Sequence, residues 1–169
     1  YDSVDPVLTY STVGLKAGDS ITGDLVRVVG ENVGTFAINQ GSISAGSNYA
    51  IAFTGADLTI TTKTLTVTAA AKTKVYDSAD PVLTYSTVGL KAGDSLSGAL
   101  TRDSGDSVGT FAIRVGDLGN TNYSITFNSA NLTITAKTLT VIADAKTKIY
   151  DSADPVLTYS TIGLKAGDT

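Results

Sequence analysis

A phrase of twenty residues occurs almost unchanged three times in this chain of 169 residues. Its first copy reads YDSVDPVLTYSTVGLKAGDS, and the copies begin at Tyr1, Tyr76 and Tyr150. The starts lie about 75 residues apart, a spacing that marks a tandem array of small structural units. The chain therefore has to fold as repeated units, each near the lower size limit for a domain that folds alone.

Apolar and polar residues alternate within each repeat. Phe111 and Ile113 lie on one face of a run, and Leu132 and Ile134 lie on one face of another, with threonine or alanine between them. This period of two, rich in β-branched and aromatic residues, predicts strands and no helix. We predict seven strands per repeat, at Thr64–Thr68, Thr73–Asp77, Val82–Val88, Ser95–Thr101, Val108–Val115, Asn122–Phe127 and Asn131–Thr135.

Seven short antiparallel strands without a helix indicate an all-β fold of tandem immunoglobulin-like β-sandwich repeats. A β-grasp-like sheet is the alternative, although no segment supplies the helix that it needs. Asn128-Ser129-Ala130 reads as a tight turn that joins the last two strands as a hairpin. Gly93, in the turn Lys91–Asp94, is available for a positive φ angle.

The apolar positions change parity between two adjacent runs. Leu58 and Ile60 are even, whereas Leu65 and Val67 are odd, and one continuous strand cannot change faces without a break or a bulge. We read this as a break at which one domain ends and the next begins; a β-bulge inside one strand is the alternative. The predicted domains are residues 1–62, which lack a first strand, the complete repeat 63–136, and 137–169, the first half of a third repeat.

These boundaries place the repeated phrase inside a domain, not at its start. We expect the chain to be a window of a longer array. The alternative is that the C-terminal segment of one chain completes the first domain of the next by strand addition, which would make the chain polymerise head to tail.

Composition excludes several classes of function. The chain contains no cysteine, methionine, tryptophan or histidine. Disulfides, zinc sites of the usual kind and a Ser–His–Asp triad are therefore excluded. Sixteen acidic residues exceed twelve basic ones, giving a net charge of −4, which argues against nucleic acid and anionic membranes as partners. No apolar run is long enough to span a bilayer. We expect neither an enzyme nor a cofactor.

Aspartates beside the proline of the repeated phrase are the main candidate metal ligands, and Asp94 in the Gly-Asp-Ser turn is a weaker one. Clustered carboxylates can coordinate calcium, and aspartates in turns can equally bond to their own backbone. The candidates are Asp77, Asp80, Asp151 and Asp154. Calcium is the less favoured of the two interpretations.

Tyrosines and lysines allow two further hypotheses. Tyr76, Tyr85 and Tyr123 recur in register and are expected to be core or rim residues whose hydroxyls reach the backbone, or alternatively a sugar-stacking surface. Lysines and asparagines of bacterial surface domains sometimes form isopeptide cross-links. The residue types for such a link are present, but the first repeat carries Asp57 in place of Asn131, which argues against a link in every repeat.

Several motifs recur in the same order in both full periods: YD-S-x-DP-x-LTY, GL-x-x-GDS, VGTFAI, and NY-x-I-x-F followed by LTIT. Together they resemble the MBG/YDG-type repeats of large bacterial surface proteins, which are often filamentous-haemagglutinin-like adhesins. Ser3, Ser78 and Ser152 stand where that resemblance leads us to expect glycine. The resemblance implies secreted or cell-surface stalk or adhesive repeats, and it implies no catalytic residues.

The resulting hypothesis is that the chain is a non-enzymatic structural repeat. It would form the stalk or fibre of a secreted or cell-surface bacterial adhesin, or part of an extracellular filament of the kind found in biofilms. The alternative is a repeat that itself binds glycan or protein, for which the segments Val26–Asn32 and Leu100–Ser107 differ most between repeats. The expected partners are further repeats in the same chain. Identical chains, head to tail or side by side, and a host glycan bound by the parent protein are the other candidates.

Overall fold

The computed structural model describes all 169 residues, Tyr1–Thr169, and contains twelve β-strands and no helix. The strands are β1 Val26–Arg27, β2 Gly34–Asn39, β3 Ala56–Ile60, β4 Lys63–Ala69, β5 Lys72–Val75, β6 Tyr85–Val88, β7 Thr101–Arg102, β8 Gly109–Arg114, β9 Tyr123–Asn128, β10 Asn131–Thr135, β11 Thr140–Ala143 and β12 Tyr159–Ile162. The predicted all-β class is confirmed, and the helix of a β-grasp sheet is absent. No segment forms an apolar helix of the length that crosses a bilayer.

The backbone divides into two compact units. The first comprises Tyr1–Val67, Thr87–Gly98 and Asp117–Phe127, and it contains the sheet with strand order β1-β2-β3. The second comprises Thr68–Ser86, Ala99–Gly116 and Asn128–Thr169, and it contains the sheets β5-β10-β8-β7 and β11-β12.

The middle repeat has seven strands, β4 to β10, as many as the sequence predicts, and all but β7 lie where they are predicted. Four of them form the sheet β5-β10-β8-β7, and the other three form a sheet in the order β6-β4-β9. The strand predicted at Ser95–Thr101 is mostly wrong. Only Thr101–Arg102 forms a strand there, together with one isolated bridge between Ser97 and Gly119, because the turn residues of this stretch interrupt the ladder.

Two details of strand pairing differ from the sequence prediction. β5 pairs with β10 in parallel, with Leu132 opposite Lys72 and Thr135 opposite Val75. Strands β6 to β9 lie between them in the chain, so the connection is long enough for the parallel arrangement, which a tight turn does not allow. The repeat is therefore not wholly antiparallel.

The predicted hairpin at Asn128-Ser129-Ala130 is also wrong. β9 lies beside β4, whereas β10 pairs with β8 and β5, so the three residues connect two different sheets. The Ser129 hydroxyl donates to the Ile113 carbonyl at 2.7 Å, and the Ile113 amide donates to the Ala130 carbonyl at 2.8 Å. These bonds attach the connection to β8 instead of to a hairpin partner.

The change of parity coincides with a break between strands. β3 ends at Ile60, β4 begins at Lys63, and the two belong to different sheets. The chain therefore does not form one continuous strand with a bulge at this point. The positive φ predicted for Gly93 is confirmed at 93°, and Gly18 and Gly167 adopt the same conformation in the other repeats.

The best-buried side chains all belong to the middle repeat. They alternate along their strands, as the period of two requires, and they are Leu65, Val67, Ile113, Leu132 and Ile134. The corresponding residues of the first repeat, for example Ile38 and Leu58, are only half-buried. Hydrophobic burial therefore differs between repeats whose sequences are nearly the same.

We predict that Leu132→Ala lowers the local free energy of unfolding of the middle repeat by about 2–5 kcal/mol, because it leaves a cavity beneath a fully buried position. The matched variant Leu58→Ala in the first repeat is expected to cost distinctly less, since Leu58 is half-buried. Hydrogen exchange of the backbone amides of β8 and β10, compared with those of β2 and β3, measures both values. Equal losses in the two repeats would contradict the difference in burial.

Candidate functional site

The turn that opens each repeated phrase has an unusual backbone. Asp2, Asp77 and Asp151 have φ angles of 64°, 69° and 68°, and they are the only non-glycine residues of the chain with positive φ. Aspartate tolerates this left-handed conformation better than most residues. The serines that replace the expected glycine do not adopt it, so this departure from the resemblance has no backbone cost.

An ion pair connects the turn of the first repeat to the first strand of the second. The Lys63 ammonium lies 2.6 Å from the Asp2 carboxylate, and the Lys91 ammonium lies 3.7 Å from its other oxygen. The hydrogen bond from Lys63, together with both positive charges, lowers the pKa of Asp2. Asp2 therefore stays ionised between two cations that both belong to the next repeat.

Two tyrosines of different repeats share one carboxylate at the same place. The hydroxyls of Tyr1 and Tyr123 donate to the same oxygen of Asp94, at 2.8 and 2.5 Å. The two rings pack edge to face with centroids 5.5 Å apart, and the Lys91 ammonium lies 5.1 Å from the centre of the Tyr1 ring. The hydrogen bonds from Tyr123 and then Tyr1 lower the pKa of Asp94.

A buried asparagine adds a further contact between these two repeats. The Asn122 side-chain oxygen accepts the Val33 amide at 2.9 Å, and its amide group donates to the Asn32 oxygen at 2.9 Å. The Asn122 carbonyl accepts the amide of Lys63 at 3.0 Å. Its backbone and side chain therefore bond to both sides of the junction.

The second junction repeats the first with equivalent residues. The Lys137 ammonium lies 2.7 Å from Asp77, and the Tyr76 hydroxyl donates to Asp168 at 3.0 Å. The Lys165 ammonium lies 4.9 Å from the centre of the Tyr76 ring. We call this set the inter-repeat clamp. It consists of the Tyr-Asp pair of one repeat, the lysine at or just before the first strand of the next repeat (Lys63 or Lys137), and the Lys–Asp turn of that next repeat.

An arginine inside each full repeat fixes the second aspartate of the phrase. Arg102 donates to both oxygens of Asp80, at 2.5 and 3.2 Å, and to the carbonyls of Asp103 and Gly105. Its guanidinium lies 5.5 Å from the centre of the Phe111 ring. In the first repeat, Arg27, Asp5 and Phe36 form the same arrangement.

This arginine brace was missed by the sequence reasoning, which treated its segment only as variable. A signal was present: the aspartate and the arginine are 22 residues apart in both repeats. The glycine three residues after the arginine is also common to both. A Cβ atom on Gly105 would lie 2.2 Å from the Phe111 ring, and one on Gly30 would lie 2.1 Å from Phe36. The loop therefore needs glycine wherever the phenylalanine packs under it.

Three of the four candidate calcium ligands, Asp77, Asp80 and Asp154, lie beside cations. Arg102 and then Lys74 lower the pKa of Asp80 to about 2. Asp77 pairs with Lys137 and Asp154 with Lys148, whereas Asp151 has no ion pair. No group of three or more acidic side chains converges anywhere in the chain. A calcium ion at Asp77 or Asp80 would have to displace these positive groups, and the calcium site stays a prediction.

The other candidate residues have structural partners. The Lys91 amide donates to the Tyr123 hydroxyl at 3.0 Å, which confirms the predicted contact of this tyrosine with the backbone. The Lys74 ammonium is held by Asp80 at 2.6 Å and by the Ser78 carbonyl at 3.0 Å. The Lys74 side-chain nitrogen, the atom that an isopeptide cross-link would use, is therefore held by these two oxygens.

We predict that Arg102→Gln raises the pKa of Asp80 from about 2 towards its usual value of 3.8, because the largest contribution to the shift is removed. A lowered native pKa stabilises the fold above about pH 4, and that contribution is lost as the pH falls through 2. The variant should therefore unfold with less dependence on pH between 4 and 2. Carboxyl titration by NMR, with acid unfolding, measures both effects.

The matched control is Arg114→Gln. Arg114 pairs with Asp103 at 2.9 Å on the exposed surface, and exposed pairs contribute little to stability. The control should leave the pKa of Asp80 unchanged. Equal loss of stability in the two variants would contradict the role of the brace.

Comparison with known families gives one match. The family model described as MBG domain (YGX type) matches residues 1–59, 65–133 and 139–169, which together are most of the chain. Neither the curated proteins nor the solved structures that were searched contain a significant match. The three matches follow the three copies of the repeated phrase, and the chain belongs to the family of MBG domains of the YGX type.

Proposed function

We propose that this chain is a non-enzymatic structural repeat that forms part of the stalk or fibre of a secreted or cell-surface bacterial protein of the adhesin type. MBG repeats act as structural or binding modules and are typical of extracellular surface proteins. Among the roles of that class we propose the stalk. In a stalk, each repeat adds a fixed length, and the number of repeats sets the distance between the two ends.

The observation that carries the proposal is the inter-repeat clamp, which recurs at both junctions. A stalk keeps its two ends at a fixed distance only if consecutive repeats hold a constant angle to each other. Each exposed ion pair contributes at most about 1 kcal/mol, but the clamp combines an ion pair, a tyrosine–carboxylate bond and a cation over a ring. These contacts act at separate points, so a change of angle has to break several of them together.

The short connections between repeats support the same function. One residue pair, Thr61 and Thr62, separates β3 from β4, and the Tyr1 amino group bonds to the Thr61 carbonyl at 2.7 Å. In the next repeat the Tyr76 amide bonds to the Thr135 carbonyl at 2.8 Å. A connection of this length, bonded at its end, leaves little freedom to a hinge.

Small-angle X-ray scattering on arrays of two, four and six copies of residues 63–136 tests the proposal. We expect the maximum dimension to grow linearly with the number of copies. Freely jointed repeats would grow roughly as the square root of that number. Growth of the second kind, or a compact particle, would rule out a stiff stalk.

The matched variant carries Tyr76→Phe and Lys63→Ala in every copy of the array. It removes the hydroxyl and the ammonium of each clamp but leaves the buried core unchanged, so each repeat should stay folded. We expect the maximum dimension of the six-copy array to fall below that of the parent. An unchanged dimension would show that the clamp does not set the angle between repeats.

A further inference from the structure

One edge strand of the middle repeat has none of the usual protection against pairing with another chain. β6 is an outer strand of the sheet β6-β4-β9, so its second edge has no partner strand. The segment that contains it, Val82–Leu90, reads VLTYSTVGL and has neither a charged residue nor a proline. Soluble proteins usually protect a free edge of this kind with charges, with proline or with a covering segment.

The other outer strands of this repeat are charged or polar. In the sheet β5-β10-β8-β7, the outer strand β5 carries Lys72 and Lys74, and the outer strand β7 carries Arg102. The outer strand β9 has no charge, but the side chains that it exposes are polar, namely Ser124, Thr126 and Asn128. In this repeat, an uncharged edge with exposed apolar side chains is therefore found only at β6.

The exposed face of this segment has a valine at each end. Val82 and Val88 are 82% and 74% exposed, and the exposed side chains of Thr84 and Ser86 lie between them. Thr87, at an odd position, is half-buried. Successive side chains of a strand point to opposite faces, so the even positions form one row that faces water.

The exposure of this face does not depend on which repeats lie before or after it. Val7, Val82 and Val156 are equivalent, and they are 89%, 82% and 84% exposed. The repeat of Val7 is followed by the complete middle repeat, and the repeat of Val156 is preceded by it. The middle repeat itself has all seven of its strands. A complete neighbour on either side therefore leaves this position in water.

The sequence of this face is kept between repeats, whereas other exposed sequence is not. Residues 7–15 and 82–90 are identical, and residues 156–164 differ from them only by Ile162 in place of valine. By contrast, only the arginine and the glycine of residues 26–32 recur in residues 101–107. Burial within the repeat does not explain why the exposed valines are kept, because they contact no core.

The backbone of β6 determines which groups are free to bond. The Thr84 carbonyl accepts the Ala70 amide, next to β4, at 2.9 Å, so the backbone groups of Thr84 point towards β4. The N–H and C=O groups of Tyr85 and Thr87 point the other way, towards the open edge. A second strand can therefore bond to Tyr85 and Thr87 without displacing any bond of the sheet.

We propose that the open edge of β6 is a self-association site, and that its occupant is β6 of a second copy of this chain. The two strands run antiparallel about a two-fold axis at Tyr85, which lies opposite its own equivalent. In this register Val82 of each copy faces Val88 of the other, and Thr84 faces Ser86. Pairs of β-branched side chains and hydrogen bonds between threonine and serine both stabilise antiparallel strands.

The charge and the symmetry of the chain favour this occupant and this register. The chain has a net charge of −4, so two copies repel each other except where the surface is uncharged, as it is at β6. A two-fold axis requires that opposite residues lie on the same face of the sheet. Among the registers that satisfy this condition, only the proposed one places Val82 and Val88 of each copy both against a valine of the other.

Pairing at this edge is closed and weak. β4 occupies the other edge of β6, so one contact joins two copies and does not extend into a fibril. A pair of short strands buries far less than the roughly 1,200 Å² of a stable interface, so a single contact is transient. The segment recurs in every repeat, and contacts that form together between two chains raise the affinity. This association does not depend on the stalk function.

Single cysteines test the contact, because the chain contains none of its own. We expect equal amounts of the Thr84→Cys and Ser86→Cys chains, mixed and oxidised at high concentration, to form mainly the mixed dimer. Opposite residues of such a non-hydrogen-bonded pair lie about 4.5 Å apart at Cα, which suits a disulfide. The three possible dimers differ in mass by one CH₂ group, so intact mass separates them. A merely statistical share of the mixed dimer would overturn the proposed register.

Thr126→Cys is the matched control. Thr126 is exposed on β9, the other outer strand of the same sheet. Under the same conditions, this variant should give at least about tenfold less dimer than the mixture of Thr84→Cys and Ser86→Cys chains. Equal yields would show random collision and overturn the proposal. A preferred dimer between the Ser86→Cys and Thr126→Cys chains would overturn it in favour of pairing between β6 and β9.

A charge on the exposed face tests the association without oxidation. The triple variant Val7→Lys, Val82→Lys and Val156→Lys adds one lysine per repeat at positions that are exposed, so the repeats should stay folded. Analytical ultracentrifugation of the parent chain should show reversible association. We expect the variant to need at least about tenfold higher concentration, because lysine on an edge strand opposes pairing.

The control for this variant adds the same charge away from β6. It carries Val29→Lys, Ser104→Lys and Val108→Lys, all at exposed positions, and should associate like the parent. Equal behaviour of the two variants would contradict a contact through β6. Sedimentation of the parent chain that does not change with concentration would contradict the association itself.

Discussion

The repeat depends on the burial of its first strand. Where β4 lies in the centre of its sheet, Leu65 and Val67 are withdrawn from water and the neighbouring segments are strands. The equivalents of β6 and β9 in the first repeat form no strand, although their sequences are almost the same. In a small domain, a central strand that pairs on both sides contributes a large part of the buried apolar area.

The clamp links this strand to the repeat before it. Lys63 begins β4 and Lys137 lies three residues before β11, and each pairs with an aspartate in the left-handed conformation. A non-glycine residue in that conformation is disfavoured, and surrounding contacts usually hold it. At both junctions the ion pair supplies such a contact. The position of the strand and the shape of the preceding turn are therefore coupled, and neither repeat sets its end alone.

Much of the fold could be predicted because alternation is a local property. The period of two gave the strands, and the change of parity after Ile60 marked the break before Lys63. Which strands pair could not be predicted in the same way. The parallel pairing of β5 with β10, and the failure of Asn128-Ser129-Ala130 to form a hairpin, depend on long-range packing. The clamp and the brace could not be predicted from the sequence for a related reason. The residues that form them lie 22 to 93 positions apart in the chain.

The coupling of strand and clamp also explains how a tandem array can keep its register. The sequence KTLTV is identical in the second and third repeats, so apolar complementarity alone cannot tell one copy from another. The clamp adds a directional condition, because the tyrosine and aspartate of one repeat must meet the lysine and aspartate of the next. A strand of the β4 type that docks without its preceding repeat satisfies the apolar contact but leaves the carboxylate without its second tyrosine. Because the clamp uses the same residue types at both junctions, it favours a strand that follows a repeat over one that does not, and it does not distinguish one copy from another.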